Sequence, residues 1–292
     1  MTAPRLAPAR VGDAIAHTAR RLARAELAYG HGTDNPYDEA AALVFHVCGL
    51  RHEEAPAAYE VTLDLSQRRA LRRLVQRRID ERVPSAYLTG VTWFAGHEMR
   101  VDSRVLVPRS AIAELIAARF APFIAADRVR RIVDIGTGSG CIAIACAHAF
   151  PAATVDAADI SPGALDVARD NIAQHGLEER VRPMLADVYD GLPAGRYDII
   201  VSNPPYVPTA DVEALPAEYH HEPALGLDSG PDGLDHVRRI LAGMHEWLAP
   251  GGILVVEVGN TDEAVARAWP DMPFLWLDFE HGGGGVFLLR ME

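Results

Sequence analysis

Cysteine is scarce in this chain. Cys48, Cys141 and Cys146 are the whole complement among 292 residues, and no two stand in C-x-x-C spacing. An odd number without paired spacing argues against a disulfide framework. Cys141 and Cys146 fall in an apolar run and read as small core residues of a reducing compartment. Clusters of zinc-ligand spacing are also missing, so no metal is expected. His220 and His221 beside Glu222 are adjacent in sequence, point different ways and have no further ligand paired with them.

Long hydrophobic runs are equally lacking. No stretch approaches the roughly 18 apolar residues of a membrane span, so no membrane association is expected. The segment MTAPRLAPARVGDAIAH has no continuous apolar signal core. It contains arginine and no acid before Asp13, as a transit segment would, but helical periodicity begins almost at once, and a cytoplasmic location is expected. Excess positive charge is absent too. The net charge is -12 and the pI about 5.4, a poor match for non-specific nucleic-acid binding and a natural match for a basic protein partner. Solubility alone explains the same charge. Composition leaves the oligomeric state open.

What is present is an ordinary globular composition, 49% hydrophobic and 23% charged. Residues 1–85 read as a small helical domain. Leu43, Val44 and Val47 follow Ala40 at helical spacing, and Leu71, Leu74, Val75 and Ile79 repeat the pattern, with Asp64 as N-cap and Pro84 as terminator. The later helix carries Arg68, Arg69, Arg72, Arg73, Arg77 and Arg78, either a face for RNA or an acidic partner, or a solvated face around an apolar stripe. Residues 86–109 turn aromatic, β-branched and glycine-punctuated, which predicts a β-hairpin linker. Trp93 and Phe94 either line a cleft there or form the hairpin's apolar face.

Residues 110–292 alternate. Helices are predicted near 110–125, 139–149, 162–175 and 232–248. Strands are predicted near 131–135, 153–158, 181–186, 197–202, 252–258, 274–279 and 285–290. Near-continuous apolar strands between helices predict an α/β, mostly parallel sheet covered on both faces, with ligands at the carboxyl ends of the strands.

The first of these strands runs into Asp134-Ile135-Gly136-Thr137-Gly138-Ser139-Gly140. Such glycines permit a tight turn and close approach of a ligand to the backbone. The helix start behind them suits an anion, either a pyrophosphate or the carboxylate of S-adenosylmethionine. The spacing is G-x-G-x-G, which fits a nicotinamide-dependent oxidoreductase less well than G-x-G-x-x-G would. Asp159, at the end of the next strand, can accept hydrogen bonds from ribose hydroxyls or cap the following helix, a task Ser161 could also perform. Asp187 either meets an adenine edge or forms a turn. Glu257 either touches substrate or makes a structural hydrogen bond.

The strand at 197–202 ends in Ser202-Asn203-Pro204-Pro205-Tyr206. An amide or exocyclic amine nitrogen is a poor nucleophile because its lone pair is delocalised. Two acceptors, the Asn203 side-chain oxygen and the Pro204 carbonyl, can grip its two N–H groups and aim that lone pair. The prolines lock the backbone, and Tyr206 can cover a planar group. A proline-rich turn capped by Asn203 is the plain alternative.

Together these motifs resemble the amide and amino methyltransferases of the seven-stranded S-adenosylmethionine class, whose N-P-P-Y motif matches Asn203-Pro204-Pro205-Tyr206. The stretch Arg82-Val83-Pro84 to Val107-Pro108-Arg109-Ser110, with Phe94-Ala95-Gly96 inside, is similar to the HemK-like protein-glutamine methyltransferases. Pro108-Arg109-Ser110-Ala111-Ile112-Ala113-Glu114 and Asp228-Ser229-Gly230-Pro231-Asp232-Gly233-Leu234 resemble the PrmB-type branch, which acts on ribosomal protein L three. Ala111 stands where that branch commonly has proline.

The resemblance implies a Rossmann-like sheet whose last strand is antiparallel, S-adenosylmethionine as cofactor and a glutamine side chain as acceptor. It implies a helical domain over 1–85 that helps bind a ribosomal protein, joined by the hairpin at 86–109 to a methyltransferase domain over 110–292. The expected cofactor-binding residues are Asp134, Gly136, Thr137, Gly138, Gly140, Asp159, Asp187 and Asn203. Asn203, Pro204 and Tyr206 are expected to be catalytic, and Pro205 joins them in holding substrate. Rival readings are a release-factor glutamine methyltransferase, a nucleic-acid adenine methyltransferase, and a non-catalytic partner-binding protein.

Overall fold

The helical periodicity of the first segment resolves into α1 (Val11–Ala23), α2 (Pro36–Cys48), α3 (Leu65–Asp80) and α4 (Ser85–Thr89) in a computed structural model that describes residues 10–51, 57–280 and 283–291. Asn35 starts α2 by accepting the N–H groups of Tyr37 and Asp38, both at 3.0 Å, and Gly49 ends it at φ 65°. Asp64 caps α3, with Gln67 closing the reciprocal half of a capping box. Val11, Ile15, Leu22, Leu43, Val44 and Val75 form one buried cluster among these helices.

Two features of this region depart from the sequence reading. Arg78 does not lie on a solvated face. It is 1% exposed, donating from Nε to Glu39 at 2.6 Å, from Nη1 to Glu218 at 3.0 Å and from Nη2 to the Ala28 carbonyl at 2.8 Å. A charge so buried persists because each of its three nitrogens donates, two of them to carboxylates. Residues 86–89, read as the start of the hairpin, belong to helix α4 instead. Pro84 presets its entry, and Gly90, at φ 74°, closes it.

The hairpin proper is β1 (Val91–Phe94) against β2 (His97–Arg100), antiparallel. Strand alternation separates the two aromatics: Phe94 is buried with Met99, whereas Trp93 faces solvent. Contacts divide the chain into Met1–Gly90 with Pro216–His221, and Val91–Leu215 with Glu222–Glu292, so the hairpin belongs with the second unit.

That second unit continues through α5 (Ile112–Ala117), β3 (Arg131–Ile135), α6 (Cys141–Ala149), β4 (Thr154–Asp159), α7 (Pro162–Gln174), β5 (Val181–Leu185) and β6 (Tyr197–Ser202). It ends with α8 (Thr209–Val212), α9 (Asp235–Trp247), β7 (Leu248–Glu257), α10 (Asp262–Ala268), β8 (Leu275–Leu277) and β9 (Val286–Arg290). Helix α5 stops well short of the expected residue 125. Arg119 and Phe120 both take φ 53°, and Pro122 follows, so the helical ladder cannot run on.

The seven strands are ordered β5-β4-β3-β6-β7-β9-β8, parallel except for β9, which runs against both its neighbours. Alternate strand residues enter opposite cores. Ile132, Val155, Ile199, Val201 and Val255 pack with residues of α5 and α6, while Val133, Ile200, Leu254 and Val256 pack with residues of α9 and α10. The strand order reverses between β3 and β6, where the connecting chains leave in opposite directions and open a crevice. No described helix is long and apolar enough to cross a membrane.

Candidate active site

The two sequence motifs meet at that reversal. Ile135, last of β3, is in register with Ser202, last of β6, and the Ser202 hydroxyl donates to the Ile135 carbonyl at 2.7 Å. The glycine loop and the Asn203 segment therefore leave the sheet side by side.

Hydrogen bonds fix the loop. Gly136 and Thr137 both donate to the Ala158 carbonyl at 2.9 Å, tying the loop to the end of β4. Gly136, Gly138 and Gly140 adopt φ 73°, 55° and 83°, which side chains with a Cβ rarely tolerate. Their surroundings differ. A Cβ on Gly136 or Gly138 would enter open space, whereas one on Gly140 would press on Ala168 at 3.3 Å. The first two keep a cradle free, and the third lets α6 approach α7.

A cavity of about 240 Å³ opens in front of this loop. Its walls include Gly136, Thr137, Gly138, Asp159, Asp187, Asn203, Pro204 and Pro205, so eight of the expected site residues converge there. Asp134, Gly140 and Tyr206 are not part of the wall. Asp134 is fully buried beneath the loop. It accepts from the Thr137 hydroxyl at 2.6 Å and the Ala143 N–H at 3.1 Å, and burial pushes its carboxyl up to about 7. It shapes the loop from behind. Tyr206 packs so closely on Gly259 that a Cβ there would stand 2.6 Å from its ring.

Asp159 and Ser161 divide the two tasks that the sequence left open. The Ser161 hydroxyl caps α7 by accepting from Ala164. Asp159 accepts from Ser161 N at 2.8 Å and from Gly138 N at 2.9 Å, which aims its carboxylate along the cavity wall. Burial raises its pKa. Asp187 forms the turn. It closes a turn with Asp190 and also faces the cavity, where a 2.7 Å ion pair with Arg239 holds its carboxyl below the usual range.

The Asn203 amide is fixed by its nitrogen, which donates to the Arg109 carbonyl at 3.2 Å. Arg109 in turn makes a two-pronged pair with Glu222, both contacts at 2.6 Å, and Glu222 also accepts the Val107 N–H at 3.0 Å. Glu257, at the end of β7, accepts from the Ser110 hydroxyl at 2.5 Å. Burial pushes it up to about 7. The cavity also exposes Cys141, whose thiol burial pushes up to about 12, so it stays protonated and is no nucleophile.

These residues form a glycine turn with open space beside it and a carboxylate fixed next to it on the cavity wall. The Methyltransferase small domain model matches residues 116–218, which hold both motifs, and the PrmC N-terminal domain model matches residues 13–90. The Ribosomal protein uL3 glutamine methyltransferase of Bordetella pertussis is 45% identical over 96% of this chain and 94% of its own. That of Neisseria meningitidis is 43% identical over 97% and 93%. The chain belongs to this glutamine methyltransferase family.

S-adenosylmethionine is the family's methyl donor. The family's fold also appears in the crystal structure of the hMettl16 catalytic domain in complex with the MAT2A 3'UTR hairpin 6. That structure is 16% identical with a TM-score of 0.50, covering 78% of this chain and 82% of that one, and the likeness concerns the fold alone. Sequence reading of this family member missed Glu222, Arg239 and His236. Glu222 and Arg239 act on partners more than 50 residues away, and His236 faces the cavity from α9, so no local motif marks their roles.

Proposed function

We propose that this chain transfers the methyl group of S-adenosylmethionine to the side-chain amide nitrogen of a glutamine in ribosomal protein uL3. One observation carries the reading: the Asn203 amide is pinned through its nitrogen at the wall of the cavity that the glycine cradle opens. Its oxygen is then the acceptor available to a substrate N–H.

When bound, S-adenosylmethionine supplies an electrophilic sulfonium methyl. Gly136 and Gly138 make room for it, and Asp159 receives the ribose hydroxyls. Asn203 and the Pro204 carbonyl grip the acceptor amide, turning its lone pair toward the methyl carbon. Pro204 and Pro205 hold that geometry without further ordering cost, and Tyr206 supports it from behind. Formation of the C–N bond would be matched by cleavage of the sulfur–methyl bond, whose electron pair stays on sulfur as a neutral thioether, and the amide proton would then leave to solvent, so no strong base is required. The helical unit, with exposed Arg69, Arg72, Arg73 and Arg77 on α3, is assigned to binding the protein substrate.

The test incubates the purified chain and S-adenosylmethionine with uL3, a peptide release factor or an RNA hairpin. Peptide mass spectrometry should place one methyl group on one uL3 glutamine. Methylation of the release factor or of an adenine, with uL3 unmodified, would replace this reading.

A further inference from the structure

Three histidines distant in sequence meet on one corner of the sheet unit. His97 opens β2, His148 lies in the last turn of α6, and His175 follows the C-terminus of α7. One ring nitrogen from each lies within 4.8 Å of the other two. The His97 and His148 rings stack at 4.3 Å, and His175 meets them edge-on at 5.7 and 5.6 Å. None of the three belongs to the cavity wall.

We propose that His97, His148 and His175 bind one divalent transition-metal ion of the zinc class, with the remaining coordination position open to water.

Imidazole nitrogen is the ligand such ions favour. Zinc–nitrogen bonds of about 2.0–2.1 Å in tetrahedral geometry put ligand atoms roughly 3.3 Å apart. The triad closes to that spacing by side-chain rotation, since His148 is exposed and the other two are half-buried. One ligand is already oriented. The Nε2 of His175 lies 2.8 Å from the Glu98 carbonyl, which can only accept, so the tautomer with its proton on Nε2 fits this contact and leaves Nδ1 as the ligating atom.

The surroundings of the other two favour the neutral, ligating form. Burial, followed by the neighbouring histidines, holds His97 below the usual imidazole range. Burial, then His175 and Arg180, does the same for His148. Glu98, next to His97, is the nearest acid in sequence and engages Gln174.

A bound ion would fasten β2 to the ends of α6 and α7. Asn171 of α7 already joins the same elements, bonding Arg100 of β2 and the Ser139 carbonyl of the glycine loop. The ion would therefore stabilise the corner that supports the loop without entering the reaction.

The test is calorimetric titration of zinc chloride into the untagged, metal-stripped full chain at about pH 7.5 and about pH 5.5, paired with thermal melts. The expected result is one equivalent bound, a melting point that climbs with zinc concentration, and weaker binding at the lower pH, where imidazoles protonate. His148→Ala, an exposed change, should weaken zinc binding by more than about 10–100-fold while leaving the zinc-free melting point near wild type. His97→Gln should do the same to zinc affinity. No heat of binding in the parent chain, or undiminished affinity in His148→Ala, would overturn the proposal. If His97→Gln fails to fold, His148→Ala decides alone.

Discussion

The side-chain Nδ2 of Asn203 donates to the backbone carbonyl of Arg109 at 3.2 Å, joining the tip of β6 to the segment before α5. An amide offers both a donor and an acceptor end, and this bond decides which end faces the cavity. Arg109 is itself held by the buried Glu222, so the orientation of Asn203 rests on a chain of three residues.

Glu222→Gln should therefore act at a distance. It removes the charge that pairs Arg109 and weakens the hold on Val107, costing about 1–3 kcal/mol of stability. Turnover should fall by roughly tenfold as Asn203 loses its aim, a change equivalent to about 1.4 kcal/mol. Denaturant melts and steady-state kinetics check both. Unchanged turnover in a folded variant would remove Arg109 from the account.

Asp159→Ala should mainly weaken S-adenosylmethionine binding. The carboxylate is already aligned by Gly138 and Ser161, so little ordering cost offsets its charge-assisted hydrogen bonds, worth about 1.5–3 kcal/mol each. Calorimetry should show a loss of roughly tenfold or more. Affinity within twofold of wild type would contradict the ribose assignment.

Reversing charge on α3 tests the role given to the helical unit. Arg69→Glu with Arg73→Glu alters exposed side chains one turn apart. The KM for uL3 should rise several-fold, with S-adenosylmethionine affinity unchanged. An unaltered KM would return this face to plain solvation.

Glu257 makes stability depend on pH. Its carboxyl sits at about 7 in the fold against an ordinary 4.5, because burial penalises the ion. The folded chain thus binds the proton more tightly than the unfolded chain. Its contribution is full below 4.5 and is lost as pH rises through about 7. The contribution is at most about 3 kcal/mol at 1.36 kcal/mol per unit. Glu257→Gln should flatten that part of the decline measured by chemical denaturation between those limits. Asp134, raised to about 7 for the same reason, leaves a residual slope. A wild-type slope in Glu257→Gln would refute the shift.

Local chemistry made the glycine loop and the Asn203 tetrapeptide readable, because each packs its constraints into a few adjacent residues. Strand limits at 131–135 and 197–202 were equally legible, since apolar runs between polar turns define them. Partnership across the fold was not. Glu222 reads as part of an acidic and histidine-rich run, yet its work is with Arg109, 113 residues away. Arg78 looks like its exposed neighbours on α3, and only the approach of Glu39 and Glu218 makes its burial tolerable. Asp134 stands inside the loop motif but faces α6, a distinction that depends on which side of β3 its side chain emerges. The imidazoles at 97, 148 and 175 have no shared spacing, so their meeting is a product of topology.

The most direct test of the central claim is single-turnover methyl transfer to uL3 by Asn203→Ala at saturating S-adenosylmethionine, with cofactor affinity measured on the same preparation. The rate should fall by about 100-fold or more while affinity changes far less, as expected when a group acts on the transition state. A rate near wild type would contradict the proposal that Asn203 orients the acceptor amide.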